Sequence, residues 1–484
     1  MSIRQQLFTL RRLRLNSQAC HAAAATAGMM TRCLSTPARD AQAQASPPPL
    51  YAWNRANLPP GFADDSECLT RFSKSPSPDA EAPDARRRRI FILGVGNLGR
   101  LLASSLFQFQ KTQLPLLPRI TLVVHRRELL EQWHVRPGIV MTRGDEREMS
   151  CFDVDVEWWT EERPQRGPVR EPGGGLGISN LIVATKAKDA LPQVDRFSRY
   201  LAPESTVAFT QNGMCPMWPP QGADYVARRW PEGDGPNWIA CVTTHGVTSV
   251  KPFQSVHASQ GSISVGPVLL NNRQQQQQPG DSGGHSPTAY LIDQLTHAPH
   301  LDGKAVSRGE LWILQLEKLV VNSVINPLTA ILHCKNGDIF ADATLTRIIY
   351  QLIREASRVL QALVSNESIS REILEEEEEE EYGSNVLLER FSFDRLRAMV
   401  LDVGHKVRDN TSSMLQDVRA GRPTEIHAFN GWLVETAALL DPKLRLPTHQ
   451  MIISLVEAGA ALRRVEVEAA ARREAASRAS YSEI

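Results

Sequence analysis

The chain has 484 residues, enough for two or three domains at roughly 150 residues each. Its 54 basic and 54 acidic side chains cancel, so the overall charge argues against a nucleic-acid or membrane-surface partner. No apolar run approaches the ~20 residues of a membrane-spanning helix. The seven cysteines are scattered without a CxxC pair and read as free thiols, so no metal site is expected.

Residues 1–40 contain Arg4, Arg11, Arg12, Arg14, Arg32 and Arg39, no lysine, and no acidic residue before Asp40. An arginine-rich, acid-free segment interspersed with Leu, Phe and Ala reads as a mitochondrial transit peptide, with Arg32 to Ser35 as the cleavage neighbourhood. The mature protein is therefore expected in the mitochondrial matrix, with the cytoplasm as the alternative. Residues 41–88, rich in Pro, Ala, Ser and Asp, read as a disordered linker. Three further tracts, Gly167 to Gly177, Gln274 to Gln278 and Glu375 to Glu381, read as solvated surface insertions.

The pattern changes at residue 89. Ile90-Phe91-Ile92-Leu93, Ile120 to Val124, Leu181 to Ala184 and Val207 to Phe209 are short, wholly apolar runs of the kind found in buried parallel strands. Alternating with helical stretches, they predict an α/β Rossmann-like domain over 89–302. Ser255 to Ala258 and Ser262 to Val265, with a glycine between them, predict an edge hairpin. Helical periodicity then dominates, at Leu311 to Ile325, Leu345 to Ser365, Phe393 to Arg408 and Glu425 to Leu440. An all-α domain is therefore expected over 303–484.

Gly94-Val95-Gly96-Asn97-Leu98-Gly99 follows the first strand and opens a helix, the context in which GxGxxG binds a dinucleotide. Gly94 permits the turn, Gly96 lets the backbone approach a pyrophosphate, and Gly99 allows helix and strand to pack closely. After the second strand an NAD enzyme would carry Asp or Glu for the ribose hydroxyl. This chain carries His125-Arg126-Arg127 instead, and guanidinium groups match a phosphate, so NADPH is the expected cofactor. Thr185-Lys186-Ala187 and Gln211-Asn212-Gly213-Met214 end later strands on the carboxyl side, where ligands bind in such sheets. Further on, Lys318, Asn322 and Asn326 stand at i, i+4 and i+8, on one face of an otherwise apolar helix. Such a stripe must face either a polar network or a ligand, because buried polar groups are costly unless satisfied.

Taken in order, the glycine loop, Thr185-Lys186-Ala187, Asn212-Gly213-Met214, Lys318 to Ala330, Ser412 to Val418 and Thr424-Glu425-Ile426 closely resemble the ketopantoate reductases. The resemblance implies a Rossmann domain that binds NADPH and a helical domain that closes over 2-dehydropantoate, making pantoate for pantothenate and coenzyme A synthesis. It implies Lys318 as the general acid for the ketone oxygen, protonated at the ordinary lysine pKa of ~10.4. Glu425 would orient that lysine and the substrate hydroxyl. Asn322, Asn326 and Ser413 would bind substrate, while Asn212 and Lys186 would lie near the nicotinamide and substrate. The expected partners are a small 2-oxo acid and a second copy of the chain. The alternatives are a reductase of another 2-oxo acid, or a non-catalytic mitochondrial regulator built on the same fold. Retention of both Lys318 and Glu425 favours catalysis.

Overall fold

A computed structural model of the chain describes residues 46–59, 87–112, 120–151, 154–271, 287–374 and 382–479. The leader read over 1–40 and the glutamine and glutamate runs lie outside the described residues.

The apolar runs form the centre of a parallel sheet. Strands β2 (Ile90–Leu93), β3 (Ile120–Val124), β7 (Asn180–Val183) and β8 (Thr206–Phe209) are buried along their whole length, as is β9 (Asn237–Thr243). Beyond them lie β1 (Tyr51–Trp53) and β6 (Asp155–Thr160) on one side, and β12 (Ile263–Leu269) and β13 (Gly303–Ala305) on the other. The order is β1-β6-β3-β2-β7-β8-β9-β12-β13, parallel from β6 to β9. A smaller sheet is built from β4 (Ile139–Arg143), β5 (Glu146–Ser150), β10 (Gly246–Lys251) and β11 (Gln254–Ser259) in the order β10-β11-β4-β5.

Alternation along β2 divides the interior. Ile90 and Ile92 face one core with Leu101 and Leu106 of the helix Asn97–Thr112. Phe91 and Leu93 face a second core that runs through Trp238 and Trp312 into the helical domain. The centre of that domain is the helix Arg308–Leu332, started by Ser307, whose side chain accepts from the Glu310 N–H. Pro327 lies inside this helix and has no N–H to give to the carbonyl of Ser323. That carbonyl accepts instead from Asn430 Nδ2 at 3.0 Å, so the helix continues.

Three expectations need correction. The linker read over 41–88 contains an ordered piece, because Leu50, Ala52, Trp53 and Leu58 are buried. Their apolar area outweighs the proline-rich composition around them, and β1 pairs antiparallel with β6. The glycine-rich tract at 167–177 is not a freely solvated loop. Gly167 packs on Ala56, and Asn57 Nδ2 donates to the carbonyls of Arg166 and Pro168 at 2.7 and 3.0 Å. The hairpin expected across Gly261 does not form, since β11 and β12 belong to different sheets. Ile263, Val265 and Val268 are buried with β12 laid antiparallel to the fully buried β9, a larger apolar gain than the half-exposed β11 could offer. The sheet also continues to β13, so its last strand falls just past residue 302.

Candidate active site

The glycine loop connects β2 to the helix Asn97–Thr112. Gly94 has φ +94°, and a Cβ on Gly99 would strike the Gly94 carbonyl oxygen, so both positions require glycine. A Cβ on Gly96 would meet nothing within 4 Å, which leaves the space a pyrophosphate needs beside the free N–H groups of the helix. Val95 packs partly against the core below the loop. Asn97 Nδ2 donates to the Val247 carbonyl at 3.0 Å, and Leu98 lines a small apolar cavity with Thr210 and Leu301. Arg100, not anticipated as functional, ties the loop down. Its guanidinium donates to the carbonyls of Gly96, Lys251 and Gln254 at 3.1, 2.9 and 2.5 Å. Burial, with Arg422 nearby, lowers its pKa to about 10.

Arg126 and Arg127 stand at the start of the helix Arg127–Val135, beyond the carboxyl end of β3. Arg126 is 57% exposed, and its Nε lies 4.0 Å from the Glu128 carboxylate. Arg127 Nε is bound to Glu131 at 2.9 Å, and its guanidinium lies 5.7 Å from the centre of the Trp53 ring.

Two lysines face the cleft between the domains, and their settings differ. Lys318 Nζ donates to Asn212 Oδ1 at 2.7 Å and to the Thr243 carbonyl at 2.6 Å. Among the described residues no carboxylate pairs with it. Burial lowers its pKa to about 8, against a smaller upward pull from Glu425. The ordinary value of ~10.4 expected from sequence is therefore corrected, because desolvation disfavours the ammonium form. Asn212 reaches this position through Gly213, at φ +88°, where a Cβ would lie 2.7 Å from the Ala428 carbonyl oxygen.

Glu425 does not contact Lys318. Its carboxylate accepts from Lys186 Nζ at 3.4 Å and from the Ala187 N–H at 3.1 Å, capping the helix Ala187–Phe197. Lys186 also bonds Asp417 at 2.7 Å, and Asp417 in turn accepts from Arg422 Nε at 3.1 Å. Burial works to lower the Lys186 pKa, but Glu425 and Asp417 outweigh it, and the net shift is upward. The expected Glu425–Lys318 pairing is thus replaced by action at a distance. Lys186 links the sheet domain to the helical domain through Asp417 and Glu425.

On the helix Arg308–Leu332, Asn322 Nδ2 is buried without a partner among the described residues, and Asn326 Nδ2 approaches Ser413 Oγ at 3.5 Å. Asn326 and Ser413 are thus brought together from facing helices. Asn336 was not anticipated: it is buried, its Oδ1 is unpartnered, and its N–H donates to the Asn410 carbonyl at 3.1 Å. The Thr243 carbonyl could not have been read from sequence, since any residue type supplies one. Asp417 lay inside the Ser412 to Val418 block and carries a charge that could have marked it. Among the described residues no group of three His, Cys, Asp or Glu side chains is placed to hold a metal, and no helix is long and apolar enough to cross a membrane.

Family models described as ketopantoate reductase PanE/ApbA and its C-terminal domain match residues 90–269 and 311–460. The chain is 39% identical over 438 residues to a ketoisovalerate reductase of Gibberella fujikuroi, covering 85% of this chain and 92% of that protein. A ketoisovalerate reductase of Beauveria bassiana is 39% identical over 439 residues, with coverage of 85% and 93%. A probable 2-dehydropantoate 2-reductase of Schizosaccharomyces pombe is 28% identical over 351 residues, covering 72% and 90%. Among solved structures, a PanE/ApbA family ketopantoate reductase from Ralstonia eutropha shares the fold with a TM-score of 0.53 at 14% identity, covering 77% of this chain and 98% of that one.

Proposed function

The chain belongs to the ketopantoate reductase family, and from that premise we propose that it reduces a short branched 2-oxo acid to its 2-hydroxy acid with NADPH, using Lys318 as the proton donor. The observation that carries the reading is the Lys318 ammonium, fixed by two neutral acceptors and tuned to a pKa of about 8. A general acid works best when its pKa lies near the working pH. The chemistry the nicotinamide supplies when bound is a hydride for the carbonyl carbon. Lys318 then polarises the ketone oxygen and gives it a proton, so no alkoxide is left in the cleft. Ser413 and Asn326 stand where a substrate carboxylate would be held. The Arg126 and Arg127 pair supports NADPH over NADH. Steady-state kinetics with both cofactors test that choice: Arg126→Ala should erode an NADPH preference by about tenfold or more. An intrinsic preference for NADH would reject the phosphate reading.

Two substrates compete, and they differ by one hydroxymethyl group. Similarity over 85% of the chain to two ketoisovalerate reductases favours 2-ketoisovalerate. The unpartnered Nδ2 of Asn322 favours 2-dehydropantoate, whose extra hydroxyl could accept from it. Comparing kcat/KM for the two acids on wild type and Asn322→Ala separates them. Loss confined to 2-dehydropantoate assigns the hydroxyl to Asn322; equal loss with both assigns this asparagine to the shared oxo-acid part. A catalytically silent wild type with both acids and either cofactor would favour the regulator reading instead. The leader proposal places the enzyme in the mitochondrial matrix, and a passenger carrying residues 1–40 should be imported. A passenger left in the cytosol would reject that placement alone. We further propose a homodimer, checked by analytical ultracentrifugation.

A further inference from the structure

The segment around β1 precedes the first residue matched by the family models, at 90, yet it packs on Arg127, one of the two arginines that follow β3. Trp53 is 5% exposed and fixed on several sides. Its indole N–H donates to the Glu162 carbonyl at 2.6 Å, and its ring lies 5.6 Å from that of Trp158, its partner across the β1–β6 ladder. The segment is anchored further by Leu50, whose N–H donates to the Tyr200 hydroxyl at 2.8 Å, and by Ala52, whose N–H donates to the Arg170 carbonyl at 2.8 Å. The face of the indole is offered to Arg127, with the guanidinium carbon 5.7 Å from the ring centre.

Arg127 is thereby held in two ways. The Trp53 ring takes its face, and Glu131 takes its Nε at 2.9 Å. The outer edge of the guanidinium, carrying both Nη groups, makes no hydrogen bond among the described residues. That edge is the part of an arginine that grips a phosphate with two parallel N–H groups. A guanidinium held in place beforehand loses less rotamer freedom on binding than a free one. Arg126, by contrast, is 57% exposed and among the described residues pairs only with a carboxylate 4.0 Å away.

We propose that Trp53 is a positioning residue that sets Arg127 for the 2′-phosphate of NADPH, so that cofactor choice depends on a strand added outside the matched family segments. The inference rests on the NADPH reading above. Trp53 need not touch the cofactor; it acts through Arg127.

The test is calorimetric binding of 2′,5′-ADP and of ADP to the full chain, with NADPH and NADH kinetics alongside. Three variants are compared: Trp53→Leu keeps apolar bulk and loses the ring face, Trp53→Phe keeps a ring, and Arg126→Ala reports on the neighbouring arginine. Trp53→Leu should weaken 2′,5′-ADP by about threefold to tenfold, the scale of a partly exposed cation–π contact. ADP binding should be unchanged, and Trp53→Phe should restore most of the loss. A purely structural tryptophan would weaken both nucleotides alike, and that result overturns the proposal. If Arg126→Ala lowers the 2′,5′-ADP to ADP ratio and Trp53→Leu does not, the phosphate reading stands and the role of Trp53 is rejected. If wild type itself binds the two nucleotides equally, the phosphate reading fails and this inference falls with it.

Discussion

Lys318 and Lys186 face one cleft from opposite domains, and their surroundings drive them apart chemically. Lys186 sits between two carboxylates, Asp417 at 2.7 Å and Glu425 at 3.4 Å, and is held in its charged form. Among the described residues Lys318 is bound only to an amide oxygen and a main-chain carbonyl, and its pKa falls to about 8. Neutral acceptors orient an ammonium group without stabilising its charge as a carboxylate would. Lys186 is therefore held as a charged link between the domains, while the Lys318 pKa lies close to neutral pH. Burial pulls both pKa values down, and the two carboxylates on Lys186 reverse that pull where the neutral partners of Lys318 do not.

The largest effect should come from removing the acid. Lys318→Ala should lower kcat by about a hundredfold or more, the usual scale for a positioned proton donor. NADPH affinity measured by fluorescence should hold, because the glycine loop is untouched. A variant turning over near the wild-type rate would end the comparison. The second prediction turns one niche toward the other. Reduction needs protonated Lys318, so the wild-type rate should fall as pH rises through about 8. Asn212→Asp places a carboxylate on the ammonium and should move that alkaline limb up by about one pH unit or more. A stationary limb would show that another group controls it.

A smaller change is expected from Glu425→Gln. Its charge pulls the Lys318 pKa upward, so removing it should move the limb to lower pH, by less than Asn212→Asp raises it. Because Glu425 does not touch Lys318, the effects of Glu425→Gln and Asn212→Asp on the limb should add. Strong coupling in the double variant would restore a direct Glu425–Lys318 partnership. The smallest catalytic effect should follow from Lys186→Met, which leaves the limb in place. It should cost roughly 1 kcal/mol of stability in urea titration, the upper figure for a pair with one half-exposed partner, since Arg422 still neutralises the buried Asp417. A shifted limb in this variant would mean that Lys186 belongs to the proton-transfer site.

Much of this was legible in one dimension. Strands such as Ile90 to Leu93 are uniformly apolar because both faces of the sheet are covered, and the glycine loop followed directly from its strand–turn–helix setting. Asn326 and Ser413 belong to separate motifs and meet on facing helices. The edge segment was harder to read, because β1 is only three residues long and lies among prolines and serines. Its stability comes from β6, Tyr200 and the tract near residue 167, all distant in sequence.

The sequence alone determined the order of elements, the cofactor loop and the residue types at the site, since these depend on local periodicity and on motifs a few residues long. Tertiary structure alone decided which carboxylate reaches which lysine. Glu425 caps the helix behind Lys186 and leaves Lys318 to Asn212 and a carbonyl. Desolvation and charge pairing act over a few ångströms between segments 75 to 239 residues apart, and neither distance nor burial is written in the order of the residues.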